Sequence, residues 1–221
     1  HEAGHAAVQA LLEDADPVHK VTIIPRGQAM GATFSLPERD RYGYSMRYLA
    51  ATMRVLCGGR IAEERKTGDI SSGAAMDIQM VTNYARHMVL EWGMSDRLGF
   101  VRYSGEDNQE MFLPEKEYSQ DTARIIDEEV KRFIDEAYSE TRQILEEHWS
   151  KVESIAEALL KYETLQGDEV NQLMEGRTLD RPTVADLLES ESKSTKPPAT
   201  STSTDVDDRT DEAGGMLPAP A

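Results

Sequence analysis

Apolar residues recur along the chain with two different periods, and the changes of period mark out its elements. At the start, His1, His5, Val8, Leu11 and Leu12 fall on one side of a helix that must end before Pro17. Val21-Thr22-Ile23-Ile24 reads as a strand, and Pro25, Gly27 and Gly31 punctuate a turn. Ala32 to Leu36 reads as a second strand, stopped by Pro37. From Ser45 the period is helical, with Met46, Leu49, Met53 and Leu56 at spacings of three and four. Gly58-Gly59 is expected to interrupt this helix. Glycine weakens a helix, so a close approach of another backbone is the expected reason for the pair.

Ser71-Ser72-Gly73 reads as a loop ending in a helix N-cap. The next helix places Asp77, Val81, Tyr84, Ala85, Met88 and Trp92 on one face, with Gly93 as its stop. A loop rich in Gly and Asp follows at 104–108. Ile126, Val130, Phe133, Ala137, Ile144, Trp149, Val152, Ile155 and Leu159 then suit two helices packed as a hairpin, or one longer coiled pair. From Ser190 the chain is rich in Ser, Thr, Pro and Asp without aromatics, and is expected to be disordered. The expected fold class is mainly α. A domain over 1–189 carries a small β-hairpin or sheet near its N-terminus and a C-terminal helical hairpin, and an acidic tail covers 190–221.

The 221 residues suffice for one sizeable core, and 39% hydrophobic with 29% charged residues is ordinary globular composition. No apolar run approaches the roughly 18 residues of a membrane span, and no signal peptide is visible. The net charge of −17 argues against nucleic acid as a partner, because phosphate attracts the opposite sign. The acidic residues between Asp121 and Glu175 read as solvated helix faces. The single cysteine, Cys57, excludes an internal disulfide and reads as a small buried hydrophobe.

The chemistry starts at the first residue. In His1-Glu2-Ala3-Gly4-His5, residues four apart on a helix stand one above the other, so both imidazoles can hold one metal ion. Two imidazoles suit Zn²⁺, which lowers the pKa of a bound water toward neutrality. Glu2, one step round, can take the proton as that water attacks a carbonyl. A ligand on a fraying helix end would be poorly fixed, so further sequence is expected upstream. A catalytic site needs a third protein ligand. The extended pattern with a third histidine is absent, since position 8 is Val and position 11 is Leu. His19, His87 and His148 read as surface or satisfied residues. Glu63 and Glu64 are candidates, with an exposed Arg60–Glu64 helix pair as the plainer alternative. Asp77 is preferred because a carboxylate aligned with an apolar stripe needs a partner.

Several blocks, in order, resemble the peptidase domain of the FtsH family of membrane-anchored, ATP-dependent zinc proteases. They are HEAGH at 1–5, VTIIPRG at 21–27, GATFSLPE at 31–38, CGGRIAEE at 57–64, SSGAAMDI at 71–78, WGMSDRLG at 92–99, ARIIDEEV at 123–130 and ALLKYETL at 158–165. The resemblance runs from His1 to about Glu189. It implies one zinc held by His1, His5 and Asp77, with Glu2 as general base. Glu63 or Glu64 is then a candidate to fix a ligand imidazole from outside. The resemblance also implies a homo-hexamer acting on unfolded proteins, with a transmembrane segment and an ATPase module upstream. No GxxxxGK[ST] loop is present, so ATP and Mg²⁺ would enter only through that missing module. The implied location is the cell inner membrane with this domain on the cytoplasmic side, or an organellar membrane.

The segment Gly31, Ala32, Thr33 and Phe34 is a candidate to bind substrate by strand addition, with plain internal pairing as the alternative. Two other functions stand beside the peptidase: a non-catalytic, zinc-stabilised oligomerisation module, and a zinc hydrolase of small molecules.

Overall fold

Helix α1 (Glu2–Leu11) and helix α2 (Met46–Thr67) run in opposite senses, Gly4 lying against Gly58 and Tyr48 bonding Asp16 just beyond the end of α1. The computed structural model describes residues 1–25, 27, 30–37, 42–103 and 118–194, with backbone alone for the last five. Gly4 and Gly58 explain how closely the two helices meet. A Cβ on Gly4 would stand 2.6 Å from the Ala62 Cβ, and one on Gly58 would stand 2.8 Å from the Gly4 oxygen. The expected interruption at Gly58-Gly59 does not occur, because α2 continues through it. Packing against α1 outweighs the roughly 1 kcal/mol that each glycine costs a helix. Backbone approach was the right reason, but it does not break the helix.

Strand β1 (Val18–Thr22) is central in a three-stranded antiparallel sheet of order β2-β1-β3. It starts earlier than Val21, since Val18 and Val21 are both buried and Leu36 N–H bonds the Pro17 carbonyl. Strand β2 (Ala32–Ser35) pairs Ala32 with Thr22, Thr33 with Val21 and Phe34 with Lys20. Strand β3 (Thr164–Gln166) comes from far down the chain and is too short for its period to be read.

A single 3₁₀ turn (Ser72–Ala74) leads into α3 (Ala75–Leu90), with the Ser71 hydroxyl accepting from Gly73 N–H at 3.1 Å. The helix ends before Trp92. Helices α4 (Gln120–Glu147) and α5 (Trp149–Tyr162) both form and meet at His148, but they do not pack along each other as the expected hairpin. Their main neighbours differ: α4 lies along α2 and α3, and α5 lies against α1. Helix α6 (Gly167–Met174), opened by a capping box of Gln166 and Glu169, and α7 (Val184–Ser194) were not legible from the sequence. Regular structure thus continues past the expected tail boundary at 190. The rest of the tail, 195–221, and the loop at 104–108 lie outside the described residues. Leu49, Met53, Met88, Leu145, Ile155 and Leu165 are fully buried where these layers meet.

Most carboxylates between Asp121 and Glu175 are solvated, as expected, but Glu129 is not. It is 1% exposed, accepts from Ser95 Oγ at 2.6 Å, and takes both arms of the Arg132 guanidinium at 3.0 and 2.9 Å. Arg132, helped by Ser95 and against the cost of burial, pulls the Glu129 carboxyl down to about 2. The unfolded chain titrates that group near 4.5, so its contribution is complete above that pH and is lost as pH falls from about 4.5 through 2. Glu129→Gln is therefore expected to cost about 2–3 kcal/mol at pH 7 and to flatten the stability curve between pH 5 and 2. Urea unfolding of both proteins across that range measures this. Parallel acid profiles would show that the ion pair contributes nothing.

Candidate metal centre

Helix α1 stacks His1 and His5 one turn apart, and their rings meet edge-on with Nε2 atoms 3.1 Å apart. Asp77, in the first turn of α3, brings Oδ2 to 3.3 Å from His1 Nε2 and 3.4 Å from His5 Nε2. Among the described residues this is the one group of three metal-capable side chains whose ligand atoms converge. Its dimensions test the metal. A tetrahedral ion with arms of about 2.0–2.1 Å separates its ligand atoms by about 3.3 Å, the size of this triangle. The donor set also fits, being two imidazoles and one carboxylate with a fourth position left for water or substrate.

The surroundings orient the two candidate imidazoles. His5 Nδ1 lies 2.7 Å from the Val55 carbonyl, so Nδ1 carries the proton and the Nε2 lone pair faces the triangle. Glu63 Oε2 lies 3.6 Å from His1 Nδ1 and faces that imidazole from outside. Gly59 forms the floor: a Cβ there would collide with His5 Nε2 and stand 2.7 Å from His1 Cε1. Arg60 donates to the Ser71 carbonyl at 2.9 Å, tying α2 to the turn that precedes Asp77.

Burial disfavours the Asp77 carboxylate, but His1 and His5, when their rings are also protonated at Nε2, bond and attract it strongly enough to outweigh burial and hold the group far below the usual range. The bond to Asp77 raises His1, against its partial burial. Burial, and then the Asp77 charge, push the Cys57 thiol up to about 12, and its sulfur is not part of the converging group.

Glu2 stands apart from the triangle. Its Oε2 accepts from the Thr33 hydroxyl at 2.7 Å, so the base candidate lies against β2. On its far side β2 is covered by no other described strand. Ile23 N–H bonds the Glu163 carbonyl on the β3 side of the sheet, and alternate residues of a strand point their backbone groups to opposite neighbours. Lys20 and Thr22 therefore bond across to Phe34 and Ala32, which leaves the Thr33 and Gly31 backbone groups pointing outward. The candidate strand residues thus divide into an inward and an outward pair.

The other candidates lie elsewhere. His87 pairs with Glu91 at 3.0 Å and stacks on Trp92, His148 sits between α4 and α5, and His19 is exposed on β1. The Arg60–Glu64 helix pair does not form, since Glu64 takes Tyr138 Oη at 3.1 Å and Arg142 at 3.0 Å. Sequence reasoning missed the Val55 carbonyl, the Gly59 floor and the Thr33 hydroxyl. One signal was readable: Glu63 is four residues past Gly59, on the same face of α2, and Glu64 is one step round.

The model of peptidase family M41 matches residues 1–173. The chain belongs to peptidase family M41. It is 46% identical over 227 residues to ATP-dependent zinc metalloprotease FtsH 2 of Methylacidiphilum infernorum, covering 99% of this chain and 34% of that relative. It is 48% identical over 181 residues to ATP-dependent zinc metalloprotease FtsH of Magnetococcus marinus, covering 80% and 27% respectively. The ATP-dependent zinc metalloprotease YME1 homolog of Caenorhabditis elegans is 42% identical over 200 residues, or 89% and 28%. The M41 chain thus spans about a third of the length of these curated relatives. Zinc is the metal that all of their names print, in agreement with the donor set.

Proposed function

We propose that this M41 domain is a zinc endopeptidase, the proteolytic part of an ATP-dependent, membrane-anchored protease that degrades unfolded or misassembled proteins. The observation that carries the reading is the triangle of His1, His5 and Asp77, with the Glu2 carboxylate outside it, bonded to Thr33 and close enough to His1 to favour its charged form. Zinc bound there would supply a Lewis acid that polarises the scissile carbonyl and acidifies water. His1, His5 and Asp77 would hold the metal, and Val55 and Glu63 fix the two imidazoles. Glu2 accepts the proton of the attacking water and later delivers it to the leaving amine. Gly31 and Thr33 offer outward backbone groups to an extended substrate, while Ala32 and Phe34 keep β2 attached to β1. Such pairing reads main chain and ignores side chains, so broad specificity follows.

A folded substrate cannot present an extended segment to this edge. The partners proposed are therefore an ATPase module using ATP and Mg²⁺, and further copies of the chain as a homo-hexamer. Among the described residues no helix is long and apolar enough to cross a membrane. Membrane attachment is proposed from the kinship with FtsH and YME1 proteins, with this domain on the cytoplasmic side of a bacterial inner membrane or in an organellar membrane. The rival oligomerisation module has no use for a carboxylate beside an open position.

Casein degradation by the full-length protein tests the reading. Chelation is expected to abolish it and zinc to restore it, while omitting ATP stops casein turnover and spares short unstructured peptides. Turnover that survives complete removal of metal would overturn the proposal.

A further inference from the structure

Strand β2 touches the base candidate in two places. The Thr33 hydroxyl donates to Glu2 Oε2 at 2.7 Å and lies 3.4 Å from the Glu2 backbone oxygen. Gly31, two residues earlier on the same face of the strand, leaves no gap either: a Cβ there would stand 2.7 Å from Glu2 Cγ and 2.9 Å from Oε1. A glycine provides the room and a threonine provides the donor, and both are aimed at one carboxylate. The donor is well held, because threonine is β-branched and stiff about χ1, and its backbone is fixed by the pairing of Ala32 and Phe34 with β1. A bond to a charged acceptor is also among the stronger kinds. The outward backbone groups of Thr33 lie on the edge proposed to receive substrate.

We propose that Thr33 is a positioning residue for the general base. Its hydroxyl grips Oε2 and turns the Glu2 carboxylate so that Oε1 takes the proton of the attacking water, while its backbone lines up the substrate. One residue thereby sets the distance between the peptide and the base. This inference rests on the reading of Glu2 as the base and adds to it a residue that never touches the reacting atoms.

The test compares wild type, Thr33→Val and Thr33→Ser in the zinc-loaded full-length protein. Readouts are peptide kinetics, zinc content, melting temperature and calorimetric binding of a peptide hydroxamate, whose acidic proton passes to the base on binding. Thr33→Val matches the shape and lacks the donor. It is expected to lower kcat about tenfold, the size of one lost hydrogen bond to a charged group, with KM within about twofold and zinc content unchanged. Hydroxamate affinity should fall in parallel. Thr33→Ser keeps the hydroxyl and should recover kcat to within about twofold of wild type. In a Glu2→Gln background, Thr33→Val should cause no further loss of hydroxamate affinity.

Wild-type kcat and hydroxamate affinity in Thr33→Val would overturn the inference. So would equal losses in the Val and Ser variants, or a change confined to KM or melting temperature, since these report strand packing alone. If Thr33→Val melts early, Thr33→Ala carries the same comparison. Full activity of Glu2→Gln would instead remove the base reading itself, so the two failures are distinguishable.

Discussion

Glu2→Gln retains zinc and loses caseinolysis by about a hundredfold or more. The amide has the shape of the carboxylate and can still meet the Thr33 hydroxyl, now 2.7 Å from Glu2 Oε2, but it cannot accept a proton near neutral pH. Glu2 lies outside the triangle of His1, His5 and Asp77, so its loss leaves the ligands in place. General acid–base catalysis contributes about 10²–10⁴ in rate, which sets the expected range. Metal content and caseinolysis measured on one sample decide the matter. Residual activity within about tenfold of wild type, a change of only about 1.4 kcal/mol in the barrier, would remove Glu2 from its role.

Asp77→Ala loses zinc and activity together. The remaining pair, His1 and His5, offers two nitrogens where a catalytic zinc needs three protein ligands. Glu63→Ala keeps all three proposed ligands and loses only the carboxylate 3.6 Å from His1 Nδ1. It is expected to weaken zinc by about 10–100-fold and to remain loaded at high zinc. Glu64→Ala, whose carboxylate serves Tyr138 and Arg142 instead, should bind zinc as wild type does. Titration against a chelator of known affinity ranks the variants. A metal-free Glu63 variant beside a loaded Asp77→Ala would reverse the ligand assignment.

The helices were legible wherever an apolar face was long enough to repeat. The stretch from Met46 to Leu56 and the stretch from Ile126 to Leu159 each span several turns, and both appear as helices. Boundaries were less legible, because they depend on partners. Strand β1 extends back to Val18 only because Pro17, Ser35 and Leu36 are there to pair with it. Strand β3 and helix α6 were missed for the same reason. Thr164, Leu165 and Gln166 make a strand against β1, which is more than 140 residues away in sequence.

Local rules by themselves determined that His1 and His5 share a face, that Glu2 lies one step round from them, and that Asp77 belongs to the apolar side of its helix. Each of these follows from the 3.6-residue turn, which holds wherever a helix forms. The family resemblance added Asp77 as the third candidate ligand; only the tertiary structure brought its carboxylate to both imidazoles, and decided that Glu63 rather than Glu64 faces His1 and that Thr33 bonds Glu2. Those contacts join α1 to α2, α3 and β2, and helical phase says nothing about the rotation of one element against another. That rotation is fixed by packing, here by Gly4 against Gly58, which lets two backbones approach until the carbonyl of Val55 reaches His5.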